Sequence, residues 1–195
     1  MSNCIYFNMK NIKIGKKTKI DPSTKLIGKV VIGNNCQIGP NNVIKDSIIG
    51  DNNKIDSSYI EDSIIDSNCQ IGPFSHIRDH SIIKSYCRIG NYVEIKKSVI
   101  NQKVKCAHLS YIGDAEIGEN TNIGCGVITA NYNGITKEKT FIGKNCFIGC
   151  QSVLVAPIRV EDGCYVAAGT VLTSSLKNDT FAIRRAELKL KEKNK

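Results

Sequence analysis

One histidine near the middle of the chain is accompanied by basic residues of the kind that hold anions. His108 lies in the stretch AHLSY, and Arg78, Lys96, Lys97 and Lys137 flank it at some distance along the sequence. Imidazole titrates near neutral pH and can serve as a general base, while arginine and lysine bind phosphate. The residues alone leave two interpretations open, because a single exposed histidine is usually an ordinary surface residue.

A repeat of six residues indicates the elements that must hold these side chains. An aliphatic residue, often followed by glycine, recurs every six positions from Ile14 to Leu172, with a few slips. A period of six fits neither an α-helix nor a hairpin sheet. It fits short strands that each end at a corner and turn one aliphatic side chain inward. The sequence therefore predicts a solenoid with a buried aliphatic ladder, interrupted by residues 129–141, TANYNGITKEKTF, which must project from a corner.

The same repeat explains most of the nine cysteines. Five of them share a slot four residues after the aliphatic position with several serines and threonines: Cys36, Cys69, Cys87, Cys146 and Cys164. We predict that these five pack in the interior as small hydrophobic side chains. The odd total and the absence of a C-x-x-C pair argue against disulfides and zinc sites. Cys106 falls at the aliphatic position itself, whereas Cys125 and Cys150 fit neither slot.

Length and composition limit the class of protein. A chain of 195 residues can bury one substantial core, and with 6% aromatic residues that core must be mainly aliphatic. No apolar run approaches the roughly 20 residues of a membrane span, and the N-terminus lacks the apolar region of a secretory signal. The net charge of +9 comes without interleaved aromatics or a nucleic-acid motif, so it suits a phosphate-bearing small substrate better. We expect a cytoplasmic protein that binds neither membrane nor nucleic acid.

Residues 12–173 resemble the hexapeptide-repeat family, whose fold is a left-handed parallel β-helix of triangular cross-section. The stretch HLSYIGDAEIGENTNIGCGVITANYNGITKEKT is similar to the acetyltransferase half of the bifunctional enzymes that make UDP-N-acetylglucosamine. The similarity continues in IGPFSHIRDHSIIKSYCRIGNYVEIKKS and LVAPIRVEDGCYVAAGTVLT. The resemblance implies an all-β acetyltransferase domain over residues 1–173, with one projecting loop near 129–141. It also implies a short tail over 174–195 that is partly helical or disordered.

The resemblance also implies roles for individual residues at matching positions. His108 matches the general base, and Arg78 and Lys96 match the residues that hold the sugar phosphate. Further substrate contacts are implied for three residues: Tyr111, Asn122 and Lys137. Contacts to acetyl-coenzyme A are implied for six: Cys125, Asn131, Tyr132, Cys150, Ala168 and Arg185. The implied reaction transfers an acetyl group from acetyl-coenzyme A to glucosamine 1-phosphate, without a metal. Its product, N-acetylglucosamine 1-phosphate, would serve UDP-N-acetylglucosamine synthesis.

The sequence departs from the family pattern at three positions. Cys125 and Cys150 stand where the family usually has alanine or serine, and both changes bear on coenzyme affinity. Asp79 replaces a proline that commonly follows the phosphate-binding arginine, and it brings a negative charge next to that arginine.

The family assembles as trimers with sites between subunits, so we expect a homotrimer in which Arg185 contributes to a neighbouring site. The bifunctional enzymes also carry a nucleotide-binding domain with a glycine-rich loop. Here the repeats begin by about Ile12, so we expect neither uridylyl transfer nor its magnesium requirement. Either a separate uridylyltransferase supplies that step, or the protein acts in another pathway.

Three alternatives stay open at the level of sequence. The chain could acetylate a different amino sugar or a nucleotide sugar on the same scaffold. It could be a zinc enzyme, although His76, His80 and His108 occupy three different slots of the repeat and should not converge on one ion. It could also be a non-catalytic solenoid that binds partners.

Overall fold

The computed structural model describes residues 5–7, 11–186 and 190. Within these residues the chain forms short parallel strands joined by turns, with no α-helix and hence no helix that could cross a membrane. Each strand up to β25 pairs with the strand three further along, and β27 pairs with β29, so the chain visits three faces before it returns to the first. The result is a parallel β-helix of about ten coils, as the repeat predicts.

Three sheets form the faces, and we call them face A, face B and face C. Face A consists of β1 (Ile5–Phe7), β4 (Lys25–Ile27), β7 (Val43–Lys45), β10 (Tyr59–Glu61), β13 (His76–Arg78), β16 (Glu94–Lys96), β19 (Tyr111–Gly113), β22 (Ile128–Ala130), β25 (Val153–Val155) and β28 (Val171–Leu172). Face B consists of β2 (Ile12–Ile14), β5 (Val30–Ile32), β8 (Ile48–Ile49), β11 (Ile64–Ile65), β14 (Ile82–Ile83), β17 (Val99–Ile100), β20 (Ala115–Ile117), β23 (Thr140–Ile142) and β26 (Ile158–Val160). Face C consists of β3 (Lys19–Ile20), β6 (Gln37–Ile38), β9 (Lys54–Ile55), β12 (Gln70–Ile71), β15 (Arg88–Asn91), β18 (Lys105–His108), β21 (Asn122–Ile123), β24 (Phe147–Ile148), β27 (Tyr165–Val166) and β29 (Phe181–Ala182).

The inward positions carry the aliphatic ladder that the period of six predicts. On face A, five side chains lie in register and are fully buried: Leu26, Ile44, Ile60, Ile77 and Ile95. Burial of one such side chain contributes about 1.5–3 kcal/mol. Because side chains alternate along a strand, a slip of one residue would turn every inward side chain toward solvent. The ladder therefore fixes the register of the coils.

The predicted packing role of the five slot cysteines is confirmed. All five are buried free thiols. Their Sγ atoms donate to backbone carbonyls of the next coil, for example Cys87 to Asn101 at 3.0 Å and Cys164 to Lys177 at 2.9 Å. Burial also raises the pKa of Cys106 to about 12, so this thiol stays protonated at neutral pH.

The predicted projecting loop is confirmed between β22 and β23. Thr121 and Cys146, equivalent positions on the coils before and after the loop, are 25 residues apart. Tyr132 and Lys137 form an antiparallel bridge at the base of the loop. At the tip, the Asn133 side chain accepts hydrogen bonds from the backbone N–H groups of Ile135 and Thr136 at 2.9 and 2.8 Å. The loop is thus an ordered hairpin with its own hydrogen bonds.

The described part of the predicted tail continues the β-helix, so the boundary predicted at residue 173 is too early. Leu176 bridges to Val160, and β29 pairs with β27 on face C. Leu176 packs against the core, which gives this segment apolar contacts that a frayed tail would lack. Residues 187–189 and 191–195 of the predicted tail lie outside the described residues.

A stack of rings holds the last coil from outside. Phe147 and Tyr165 lie 4.7 Å apart between ring centroids, and Tyr165 and Phe181 lie 5.4 Å apart. Stacked aromatic pairs contribute about 0.5–1.5 kcal/mol beyond the area they bury. At this end of face C, the outward ring stack adds to the inward ladder.

Candidate active site

His108 ends β18 at the corner between face C and face A, and its side chain is exposed. Its Nδ1 atom lies 2.8 Å from Oδ1 of Asn91, which ends the neighbouring strand β15 in direct register with it. The two residues are 17 positions apart in the chain, which is one coil. The predicted base therefore has a hydrogen-bond partner that the sequence interpretation missed.

Arg78 and Lys96, the predicted phosphate-binding residues, are register partners on neighbouring strands of face A. Nε and Nη2 of Arg78 donate to Oε1 of Glu94 at 2.9 and 2.7 Å, and Nη1 donates to Asp79 at 3.2 Å. Burial lowers the pKa of the Arg78 guanidinium, but the hydrogen bond and charge of Glu94 outweigh it, so the net shift is upward. The guanidinium is held in place as a permanent cation.

Lys96 is a buried lysine with only 6% of its surface exposed. Its Nζ donates to Oδ2 of Asp114 at 2.9 Å, and the same carboxylate oxygen accepts from Nδ2 of Asn131 in the loop. Burial lowers the pKa of Lys96, but its hydrogen bond to the Asp114 carboxylate and the charge of that carboxylate raise it overall. Burial raises the pKa of Asp114, but the bonds from Lys96 and Asn131 lower it overall. Both groups are therefore ionised at neutral pH, and the pair ties the loop to the coil.

Lys137, in the loop, lies close to Lys96. The nearby Lys96 ammonium lowers the pKa of Lys137. Two ammonium groups this close repel each other, and an anion placed between them would relieve that repulsion. Arg78, Lys96 and Lys137 form what we call the cationic cluster, and groups of this charge bind phosphate.

Tyr111 lies between the histidine and the cationic cluster. It begins β19, directly after the corner that follows His108, and is in register with Glu94. A Cβ atom at Gly113 would collide with the Tyr111 hydroxyl, so the glycine leaves the space that this ring occupies. Gly113 is itself the register partner of Lys96, so the phenol lies beside the cluster. The structure thus brings together four of the predicted substrate residues: Arg78, Lys96, Tyr111 and Lys137.

Small residues predicted to contact the coenzyme stack along the corner of His108. The N–H of Gly126 donates to the carbonyl of Leu109 at 2.9 Å, that of Gln151 to Cys125 at 2.8 Å, and that of Gly169 to Cys150 at 2.8 Å. Cys125, Cys150 and Ala168 therefore occupy equivalent positions on successive coils, and we call them the corner column. With parallel strands ~4.8 Å apart, the column extends about 14 Å from His108 to Ala168.

Three predicted residues lie outside these groups within one chain. Asn122 begins β21 on face C, paired with Lys105 and Phe147, whereas the cationic cluster belongs to face A. Tyr132 lies in the loop with its hydroxyl donating to the carbonyl of Gly134 at 2.7 Å. Arg185 follows the last strand, β29, where the N–H of its neighbour Arg184 donates to Thr170 at 3.3 Å. Arg185 thus follows the far end of the corner column.

The three histidines lie on different parts of the coil. His76 belongs to face A, where it contacts the Tyr59 ring at 5.2 Å and Glu61 at 3.6 Å. His80 is at the corner that follows β13, and His108 is at the end of face C. Within residues 5–7, 11–186 and 190, no group of three or more histidine, cysteine, aspartate or glutamate side chains could hold a metal ion.

We predict that Asp114→Asn lowers the free energy of unfolding by about 3–5 kcal/mol at pH 7, because it leaves the Lys96 ammonium buried without its counter-charge. Since the pKa of Asp114 is lowered in the folded state, its contribution is present above the ordinary value of 3.8 and is lost as pH falls below it. Urea unfolding between pH 2.5 and 7 at constant protein concentration measures both effects.

Glu119→Gln is the matched control for this measurement, because Glu119 forms an exposed ion pair with Lys103 at 3.9 Å. Its loss should cost about 0–1 kcal/mol. Equal losses in the two variants would contradict the interpretation that Asp114 stabilises the fold by pairing with the buried Lys96.

Comparison with known proteins agrees with the β-helix. Residues 8–86 match a family model described as the GMPPB C-terminal domain, and residues 139–174 match one described as the hexapeptide repeat of succinyl-transferase. A solved structure titled UDP-N-acetylglucosamine acyltransferase aligns with a TM-score of 0.50 at 16% identity, covering 93% of this chain and 69% of that one. That similarity shows a shared fold.

Curated relatives are much more similar to this chain in sequence than that solved structure is. The bifunctional protein GlmU of Geobacillus sp. (strain WCH70) is 49% identical over 181 residues, which cover 93% of this chain and 39% of the relative. GlmU of Staphylococcus haemolyticus is 46% identical over 182 residues, which cover 93% of this chain and 40% of the relative. The chain thus spans about 40% of the length of the relatives it matches. Over these residues the chain is similar to part of GlmU.

Proposed function

We propose that this protein is an acetyltransferase that acetylates the amine of glucosamine 1-phosphate with acetyl-coenzyme A. The observation that carries the proposal is the arrangement across face A. The exposed imidazole of His108 and the corner column lie at the corner before this face, and Arg78 and Lys96 of the cationic cluster lie at the ends of its strands β13 and β16. A base, an anion site and an extended surface for the coenzyme are the three parts this reaction needs.

The chemistry assigned to His108 is proton removal. Acetyl-coenzyme A supplies the acetyl group as a thioester. The amine nitrogen forms a bond to the acetyl carbon, the carbon–sulfur bond breaks, and His108 Nε2 takes the proton that the amine loses. That proton then leaves with the thiol. Proton transfer by a positioned side chain contributes about 10²–10⁴-fold to such reactions.

The cationic cluster would hold the sugar phosphate. Arg78 has five N–H donors, of which three are engaged by Glu94 and Asp79, so two are left for an anion. Lys96 and Lys137 add two ammonium groups at the same place. Tyr111 begins β19 between the corner of His108 and the end of face A where this anion site lies.

The corner column fits an extended thioester ligand. Its members carry small side chains, which leave room for an extended ligand along the ~14 Å from His108 to Ala168. Asn131, at the start of the loop, is fixed by Asp114 and thereby positions the loop above the cluster. We further propose that the protein works in the cytoplasm, because the eight described cysteines are free thiols, as is typical of a reducing compartment.

A nucleotide sugar is the second candidate acceptor, favoured by one observation. Phe74 and Tyr92 are both exposed and stack at 5.4 Å beside Asn91, at the corner of His108. Exposed aromatic rings are surfaces on which a nucleobase can stack.

We predict that purified protein releases coenzyme A from acetyl-coenzyme A when glucosamine 1-phosphate is present, and that His108→Gln lowers kcat by about 10²–10⁴-fold. His80→Gln is the matched control, since His80 is also exposed but belongs to the corner that follows β13. A thiol reagent follows the release. Equal rates for the two variants would remove His108 from the mechanism. Release only with a UDP-linked amino sugar would select the second acceptor, and no release with either would contradict acetyl transfer.

We predict that acetyl-coenzyme A protects Cys150 from alkylation. Cys150 is exposed and Cys125 is half-buried in the corner column, whereas the other six described cysteines are buried. At a coenzyme concentration ten times its Kd, labelling of Cys150 by a maleimide should slow by about tenfold. Peptide mapping by mass spectrometry gives the rate at each cysteine. Unchanged labelling of Cys150 would place the coenzyme elsewhere.

We propose a homotrimer that packs through face B. Five outward side chains of this face are aliphatic and in register: Val31, Ile48, Ile64, Ile82 and Val99. Ile48 and Ile64 are 47% and 38% exposed, and a continuous apolar stripe on a monomer marks an interaction surface. Three subunits around a threefold axis would cover the stripe with one repeated contact that closes on itself.

We predict that Ile64→Lys converts the trimer to monomers, as measured by light scattering at micromolar concentration. The lysine places a charge in the centre of the apolar stripe, where the interface would have to desolvate it. Val171→Lys is the control, because Val171 is 44% exposed but lies on face A. Trimers in both variants would contradict the assignment of face B.

A further inference from the structure

We propose that Asn91 is a positioning residue that holds His108 in the tautomer protonated on Nδ1, so that Nε2 is free to accept a proton. The inference deepens the proposed function and rests on it for the role in catalysis. The structural part, the tautomer itself, can be tested without any reaction.

The backbone brings the two side chains together and keeps them there. β15 and β18 are each four residues long, the longest strands described, and their last residues, Asn91 and His108, are partners in register. Gly90 makes this extension possible, because a Cβ atom at that position would overlap the backbone of Ala107. The strands can thus remain paired up to the corner.

The corner that follows is equally constrained. Tyr92 and Leu109, the residues after Asn91 and His108, both adopt left-handed backbone conformations, with φ of 57° and 44°. The N–H of Leu109 donates to the carbonyl of Asn91 at 2.9 Å. Both chains therefore turn at the same place, and Oδ1 of Asn91 stays 2.8 Å from Nδ1 of His108.

The chemistry of the pair follows from the donor and acceptor capacity of each group. The amide oxygen of asparagine only accepts, so Nδ1 must carry the hydrogen when it faces that oxygen. In a neutral imidazole the other nitrogen, Nε2, then has a free lone pair. A side chain on the neighbouring coil thereby decides which nitrogen acts as the base.

An asparagine has a further consequence that an aspartate would not have. A carboxylate beside the ring would stabilise the imidazolium and retain the proton that the base has taken. The neutral amide orients the ring without adding charge. The charged side chains on the two paired strands that carry Asn91 and His108 are Arg88 and Lys105; both are cations and are the same in every variant compared below.

Nitrogen-15 NMR of histidine-labelled protein tests the tautomer directly. At a pH where the rings are neutral, long-range proton–nitrogen correlations distinguish Nδ1–H from Nε2–H, and His108→Gln assigns the signal among the three histidines. We expect Nδ1–H in the wild type and in Asn91→Asp, and a shift toward Nε2–H in Asn91→Ala. An Nε2–H signal in the wild type, or the same tautomer in Asn91→Ala, would overturn the proposal.

Kinetics test the role in the reaction. We expect Asn91→Ala to lower kcat by about 10- to 100-fold, part of what the base contributes, with KM for both substrates unchanged. Asn91→Asp should move the acid limb of the pH–rate profile to higher pH and approach wild-type activity above it. Asn101→Ala is the control, because Asn101 donates to the carbonyl of Ile117 at a different corner. If no acetyl transfer is found, the NMR result still decides the tautomer, and only the proposed function fails.

Discussion

The inward aliphatic ladder is the constraint on which the rest of the structure depends. Each coil buries its aliphatic side chains between those of the coils before and after it, so every coil is held in register by its neighbours. Because a slip of one residue would turn the inward side chains toward solvent, the register is fixed along all the described coils. The register also determines which outward residues are neighbours on successive coils. Asn91 meets His108, and Arg78 meets Lys96, because the ladder stacks one coil directly on the next.

The site uses this rigidity at places where the repeat is modified. Asp114 follows the last residue of β19 and holds both a buried lysine of face A and an asparagine of the loop. The loop lengthens one coil without disturbing the ladder, since β20 and β23 on either side of it remain paired. The rigid β-helix therefore carries a loop that has its own hydrogen bonds. The β-helix positions Lys96 and Asp114, and the loop positions Lys137.

The sequence was sufficient for the fold because one pattern repeats along it. The period of six identified the inward residues, and it correctly placed the five slot cysteines and the projecting loop. It could not give the partners of outward residues, because those depend on coil length, and coils differ in length. Asn91, Glu94 and Asp114 were missed for this reason. The last coil was missed because a short apolar segment with Leu176 and Phe181 has no strict repeat. The resemblance supplied the site residues, and the structure brings Arg78, Lys96, Tyr111 and Lys137 together while Asn122 lies on another face.

The ring stack at the end of face C links the stability of the last described coil to the corner column. In a solenoid each coil is stabilised mainly by its neighbours, so an end coil, which has one neighbour, opens at the lowest free energy. Here Phe147, Tyr165 and Phe181 clamp that coil from the solvent side. Arg184 and Arg185 follow the clamped strand, and the N–H of Arg184 donates to Thr170. Any weakening of the aromatic contacts would therefore release the guanidinium groups first, while the imidazole several coils away kept its geometry.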